Sequence, residues 1–401
     1  MARAPVNLVL IAVLLLILGG CQRHAPHSTA GALQLDRLSV LRNAAEPGFA
    51  LADGPHRFEF PQDHGPHPQF RHEWWYLTGQ LQDATGGIFG FELTVFRLAL
   101  RPAAAGVSAP DSAWQARQVY AAHFAISDIG RARFFNATRY ARDALGLAGA
   151  RAQPFAIQVA DWSVVQAPGG AALHWQLQAA DGDYELQLQL SSDQAPVLNG
   201  AAGLSRKADA PGAATYYYSM PRLTAVGRIA RQGVEIPVSG LAWLDREWGS
   251  GALGANQQGW DWFALNLSDG SALMFYSLRD RDGRRDVHSA GTFIDASGRT
   301  TQLTSDAVQI QVTKQWLSPR GGRYPAQWNL QVPSQDLQLQ VSPLLADQEL
   351  ATEPRYWEGA VRVAGRHRSA TVRAQGYVEL VGYAQAQANA SMPSATAPPA
   401  H

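Results

Sequence analysis

From Trp74 onward, apolar and polar residues alternate in segment after segment. "WWYLTGQL", "GFELTVFRLAL", "YAAHFAIS", "AALHWQLQA", "DYELQLQLSS", "VQIQVTKQW", "QWNLQV" and "LQLQVSP" each repeat with a period of two, and Gly, Asp, Asn or Pro turns separate them. That period belongs to β-strands with one face buried. Helical stretches with recognisable caps are scarce, so the chain is predicted to be all-β. Residues 75–97 and 262–279 also echo each other. Each opens on a tryptophan, runs through alternating apolar residues and an Asp-containing turn, and closes on an arginine, Arg97 or Arg279.

Meandering hairpins of this kind build barrels that hide their strand edges and enclose a ligand cavity. The echo therefore predicts two tandem lipocalin-like β-barrel domains, over 51–228 and 229–384, meeting near 225–235. The alternative is that any two hairpins look alike. Residues 22–50 read as a tether and entry segment. The low-complexity stretch 385–401 is expected to be disordered.

The first 21 residues stand apart. A basic start at Arg3, an apolar run from Leu8 to Leu18 and the ending Leu18-Gly19-Gly20-Cys21 form a secretory signal too short for a comfortable membrane span. The ending resembles a bacterial lipobox, which makes Cys21 the expected lipidation site and the mature N-terminus. The expected location is the bacterial cell envelope, lipid-anchored and facing the periplasm. Cys21 is the only cysteine in 401 residues, so an intramolecular disulfide is excluded. With 33 Lys plus Arg against 33 Asp plus Glu, no basic field for nucleic acid exists. Charged residues make up 16% of a chain with 12 Trp, 12 Tyr and 14 Phe, a balance that favours an aromatic-lined interior.

Two clusters carry candidate chemistry. The first, "FPQDHGPHPQFRHEWWYLTG" (60–79), holds His64, His67 and His72 with Asp63 and Glu73. Three imidazoles invite a metal reading, but His64 and His67 straddle Gly65-Pro66 and no HExxH helix is present, so no metal is assigned. The alternative is a loop at a barrel mouth whose imidazoles exchange protons near neutrality. On the following strand Glu73, Trp75 and Leu77 share one face, and His72, Trp74 and Tyr76 the other. A buried Glu73 needs a partner, and Arg97 or Arg246 is expected to form a structural ion pair with it. The same argument covers Glu92, between Phe91 and Leu93.

The second cluster is "GLAWLDREWGS" (240–250) with "GWDWFALNL" (259–267). Alternation puts Trp243, Asp245 and Glu247 on one face, Leu244, Arg246 and Trp248 on the other. If the first face lines a barrel, two carboxylates sit beside a large aromatic. Asp261 lies between Trp260 and Trp262. An aromatic wall raises a carboxyl pKa by desolvation, so Asp245 is the candidate acid. Glu247, beside Gly249, is expected to turn toward Arg246, Arg279 or solvent. Tyr216, Tyr217 and Tyr218 add hydroxyls or aromatic walls. No GxSxG elbow, Walker loop or GxGxxG helix start is present, and thiol catalysis has no cysteine in the mature fold beyond the anchor.

"FPQDHGPH", "FRHEWWYLTG", "GFELTVFR", "AAHFAISD", "WLDREWGS", "GWDWFALNL" and "GYVELVGY" resemble the carotenoid 1,2-hydratase / AttH family over about Phe60 to Tyr383. The resemblance implies two tandem lipocalin-like domains with a ligand pocket associated with their junction. It also implies cofactor-free addition of water to a carbon–carbon double bond, as in the family's hydratases. The AttH type is associated with ABC-transporter gene sets, which makes such a transporter a candidate partner. Position by position, the resemblance singles out His64, His67, Glu73, Trp74, Trp75 and Tyr76, then Trp243, Asp245, Glu247, Trp248, Asp261 and Trp262.

Two functions follow. In one, Asp245 protonates an alkene of an apolar ligand, Trp243, Trp260 or Trp262 faces the developing cation, and Glu247 or Asp261 takes the proton from water. In the other, the same aromatic pocket only holds an apolar molecule and passes it on. Neither uses a cofactor. A carboxylic acid kept neutral inside the pocket separates them, because a carrier does not need one.

Overall fold

The computed structural model describes residue 41 and residues 46–102, 116–168, 173–352 and 355–384. Cys21 with its leader and the tail 385–401 lie outside the described residues. Among the described residues the regular structure is almost entirely antiparallel strand, arranged in two sheets.

The first sheet is built from β1 (His72–Asp83), β2 (Ile88–Ala99), β3 (Gln118–Asp128), β4 (Arg133–Arg142), β5 (Ala148–Arg151), β6 (Ala156–Val159), β7 (Trp162–Gln166), β8 (Leu173–Asp181), β9 (Tyr184–Ser192), β10 (Val197–Leu198), β11 (Leu204–Arg206), β12 (Ala214–Arg231) and β13 (Val234–Gly251). The second holds β14 (Gln257–Leu267), β15 (Ala272–Asp280), β16 (Ala290–Ile294), β17 (Thr300–Leu303), β18 (Gln309–Leu317), β19 (Arg323–Val332), β20 (Leu337–Pro343), β21 (Glu349–Leu350), β22 (Tyr356–His367) and β23 (Ala370–Leu380).

Both sheets follow one plan. The chain meanders outward from the first strand, crosses to the far edge, and meanders back until the last strand pairs with the first: β1 with β13, and β14 with β23. The echoing segments are thus the opening hairpins β1–β2 and β14–β15 of two near-closed, lipocalin-like barrels. In the first, the sheet curls until β5 and β6 approach β3 and β4.

The first sheet takes the chain as far as Gly251, because β13 hydrogen-bonds to β1 on one side and β12 on the other. The stretch expected to join two domains, 225–235, is instead the turn of one long hairpin. Gln232 and Gly233, both at positive φ (52° and 79°), form a two-residue turn whose twist matches the strands it joins. The division at 228/229 falls inside this hairpin, and the passage between sheets is made by 252–256.

Alternation on β1, β2 and the second half of β13 sorts residues between two buried environments rather than between core and water. Trp75, Leu77, Phe91, Phe124, Leu244 and Trp248 fill the first barrel. Phe263, Leu265, Phe275, Trp328 and Val378 fill the second. A third cluster, with Tyr76, Tyr217, Trp243, Trp262, Met274 and Tyr377, lies where the outer face of β1, β12 and β13 meets the second sheet. Contact there is close. A Cβ on Gly90 would lie 2.6 Å from the Tyr377 hydroxyl and 2.7 Å from the Ala360 Cβ, so only glycine fits at that point of β2.

Candidate functional site

The two faces of β13 carry two different charge clusters. Arg246 and Trp248 point into the first barrel with Leu244, whereas Trp243, Asp245 and Glu247 point out toward the second sheet. The carboxylates therefore lie buried where the two sheets meet, not in a barrel interior.

Inside the first barrel, Glu73 is completely buried and lies between Arg97 and Arg246, each contacting a different carboxyl oxygen. The His67 backbone N–H donates to both oxygens at 3.1 Å. Burial pushes the Glu73 carboxyl up, but the two guanidiniums and His67 overcome this and hold it well below its usual range. Arg97 also donates to the carbonyls of His67 and Phe70, at 3.0 and 2.8 Å, and the Arg246 guanidinium lies 3.8 Å from the Trp75 ring centroid. His67 stacks flat on Trp248 at 3.8 Å and bonds Asp63 at 3.0 Å. His64 bonds the Tyr218 hydroxyl at 2.6 Å, and burial pushes its imidazole down to about 4. The histidine loop is thus a buried plug with fixed partners, and His64 is neutral near pH 7.

Between the sheets, Asp245 sits in a cage of donors. The Ser219 hydroxyl donates at 2.5 Å and the Trp243 indole at 2.7 Å to one oxygen, and the Tyr217 hydroxyl donates to the other. Tyr217 in turn accepts from the Trp262 indole of the second sheet at 3.2 Å. Burial is the dominant influence, and despite the three donors it pushes the Asp245 carboxyl up to about 7. Glu247 on the same face is 5% exposed. Its partners are Lys207, at 3.1 Å, and the Thr215 hydroxyl, rather than Arg246, Arg279 or water. The Lys207 ammonium rests 3.7 Å over the Tyr276 ring.

Asp261 is not part of this cage. It alternates with Trp260 and Trp262 on β14 and so shares the side of Phe263 and Leu265. There it pairs with Arg279 at 2.6 Å and accepts from Tyr383 at 2.8 Å. Of the other candidate ligand contacts, Tyr76 and Trp262 meet edge to face at 4.9 Å in the intersheet cluster, with Trp74 beside them. Trp260 donates to Glu379 at 2.7 Å. Trp75 and Trp248 belong to the first barrel.

Glu92 is buried, but on the outer face of β2 rather than inside the barrel. Phe91 and Leu93 point into the barrel, which turns Glu92 toward the second sheet, where it accepts from Thr94 at 2.9 Å and Tyr356 at 3.3 Å. Facing it are two glutamates that sequence reasoning passed over, Glu358 and Glu379, opposite one another on β22 and β23. Burial, then the charges of Glu92 and Glu379, push the Glu358 carboxyl well above its usual range. The usable signal was in "YWEGAVRV" and "GYVELVGY", where a lone glutamate interrupts strands with few polar positions nearby.

These elements describe a two-barrel, lipocalin-like protein with a buried cluster of acids and aromatics where its sheets meet. The chain belongs to the AttH-like family, whose model matches residues 51–383. A crystal structure from Nitrosomonas europaea described as an AttH superposes with a TM-score of 0.73 at 36% identity, covering 84% of this chain and 100% of that one. Kievitone hydratase from Nectria haematococca shares the fold, with a TM-score of 0.63 at 15% identity over 86% of this chain and 98% of that one. In sequence, the chain is 22% identical over 216 residues to the dehydratase asqC of Emericella nidulans, a match spanning 51% of this chain and 60% of that protein.

Proposed function

We propose that the protein is a cofactor-independent hydro-lyase of the hydratase type, acting on an apolar, unsaturated ligand between its two sheets. The observation that carries this reading is Asp245, a buried carboxyl pushed up to about 7 by its surroundings. Such a group is part protonated and part ionised at neutrality, so it can give a proton to a double bond and recover it. Its cage orients it, and Trp243 and Trp262 pack in the same buried cluster. An aromatic face stabilises a desolvated cation by about 2 kcal/mol, roughly thirtyfold in rate, which leaves most of the acceleration to the acid. In the balanced step, Asp245 protonates one alkene carbon and water oxygen bonds to the other. The proton released by water goes to Glu247 and returns to Asp245. The hydratase and the dehydratase among the similar proteins support the addition or removal of water as the class of chemistry.

The same reading places the protein in the bacterial envelope, anchored through lipid on Cys21 and facing the periplasm. Its support is the charge and hydropathy pattern of the leader. A carrier serving an ABC transporter is the competing function.

The test is incubation of wild type and Asp245→Asn with a lipid extract in heavy-oxygen water, followed by mass spectrometry. The expected result is a labelled species that has gained one water with wild type and not with the variant. Ligand that co-purifies with wild type and is never converted assigns the protein to the carriers.

A further inference from the structure

Each oxygen of the Asp245 carboxyl is served by a donor that is itself held from the second sheet. On one side, Trp262 of β14 donates to the Tyr217 hydroxyl at 3.2 Å. An indole N–H can only donate, so Tyr217 accepts there and its own hydrogen goes to Asp245. On the other side the chain is one residue longer. Ser219, opposite Asp245 on β12, donates to it at 2.5 Å and accepts from the Asn199 amide at 2.8 Å. The Asn199 side-chain oxygen accepts from the Thr292 hydroxyl of β16 at 2.8 Å. Asn199, Ser219 and Thr292 are all buried.

Local structure fixes Asn199 in this place. Its backbone N–H donates to the Tyr217 carbonyl at 3.0 Å, and Gly200 turns the chain after it at φ 78°. A Cβ on Gly200 would lie 2.4 Å from the Leu204 carbonyl oxygen, so the turn needs glycine. An asparagine side chain has a donor end and an acceptor end, and its neighbours decide which way it points. Thr292 makes that choice. Its hydroxyl lies 2.8 Å from Asn199 Oδ1 and 3.2 Å from Gln302 Oε1, and the shorter contact has the usual O–H···O length. With Oδ1 occupied, the Asn199 amide hydrogens face Ser219, whose single hydroxyl hydrogen is left for Asp245. If the asparagine turned over, Ser219 would donate to it instead. Asp245 would then lose one of the donors that favour its ionised form against burial.

Resting on Asp245 as the proposed acid, we infer that Asn199 and Thr292 are positioning residues that keep the Ser219 hydroxyl turned to Asp245. The second sheet thereby sets how tightly the acid holds its proton. The ionisable groups around Asp245 are Glu247 on its own strand with its partner Lys207, Tyr217 on β12, Tyr76 opposite it on β1, and Tyr276 of the second sheet beneath Lys207. A substitution at Thr292 alters the supporting chain and changes no charge.

The experiment is infrared titration of the full chain with pH, following the carboxylic-acid C=O stretch that Asp245→Asn removes. Thr292→Val is expected to raise the midpoint of that band by about one pH unit, the size of one hydrogen bond to a charged group. Ser219→Ala is expected to raise it at least as far. Thr292→Ser restores the hydroxyl and is expected to return the midpoint to wild type. Thr292→Ala replaces the valine variant if circular dichroism shows that the latter is unfolded. A midpoint that moves in Ser219→Ala and stays in Thr292→Val overturns the positioning role and leaves the acid standing. A midpoint that stays in both, or a serine variant that shifts as far as the valine one, also overturns it. If Asp245→Asn removes no band near neutral pH, the acid itself fails and the inference with it.

Discussion

Glu73→Gln keeps the shape of the side chain and removes its charge. Glu73 is completely buried between Arg97 and Arg246, and its carboxylate is held well below its usual value of 4.5. Removing one partner of a buried ion pair costs about 3–5 kcal/mol, because the remaining charge is stranded. Here a single carboxylate serves two guanidiniums, so the loss is expected toward the upper end, about 5 kcal/mol. At about 2–4 °C per kcal/mol for a domain of this size, the melting temperature falls by roughly 10–20 °C. The sign of the pH dependence follows from the depressed native value. The stabilisation is complete above the unfolded value of 4.5 and is lost as pH falls through the lower native value. Urea unfolding of wild type and variant, followed by tryptophan fluorescence at neutral and strongly acidic pH, measures both effects. A variant within about 1 kcal/mol of wild type at neutral pH would refute the reasoning, since losses that small are usual for exposed pairs. So would a gap that persists undiminished in acid.

Asp245 has the opposite signature. Its carboxyl is raised from 3.8 to about 7, so the native state holds a proton that the unfolded chain gives up, and wild-type stability declines as pH rises through that interval. Asp245→Asn should remove up to about 4 kcal/mol of this decline; parallel stability–pH curves for the two proteins would contradict it. Cys21→Ser should release the processed protein from membranes into the soluble periplasmic fraction, and a variant that stays with membranes after a carbonate wash refutes the anchor.

The strand class could be read directly from the sequence because alternation is imposed by backbone geometry. The same period divided 72–77 and 243–248 into two faces, and the pairing needs of a buried carboxylate pointed to Arg97 and Arg246. Alternation does not say what covers each face. Both sides of β1, β2 and β13 are buried, so the Asp245 side resembled a barrel lining when it is the face turned to the second sheet. Asp261 shows the same limit. Its flanking tryptophans are neighbours in sequence and lie on the other side of the strand. Glu358, Glu379 and Lys207 went unnoticed because each acquires its surroundings from strands far away in the chain. The 225–235 stretch looked like a boundary because a tight turn and a linker draw on similar residues.

The double burial of β13 bears on how such a protein can acquire new ligands. Each substitution between Trp243 and Trp248 alters either the intersheet cage or the packing and ion pairs of the first barrel, and a slip of one residue would exchange the two sets. A library aimed at this strand would therefore yield mostly unfolded clones. The facing strands β14, β22 and β23 reach the same space, and their residues there avoid the Glu73 ion pair. For the proposed ligand site, preference is thus most readily diversified from the second sheet, with the first left as the constant partner.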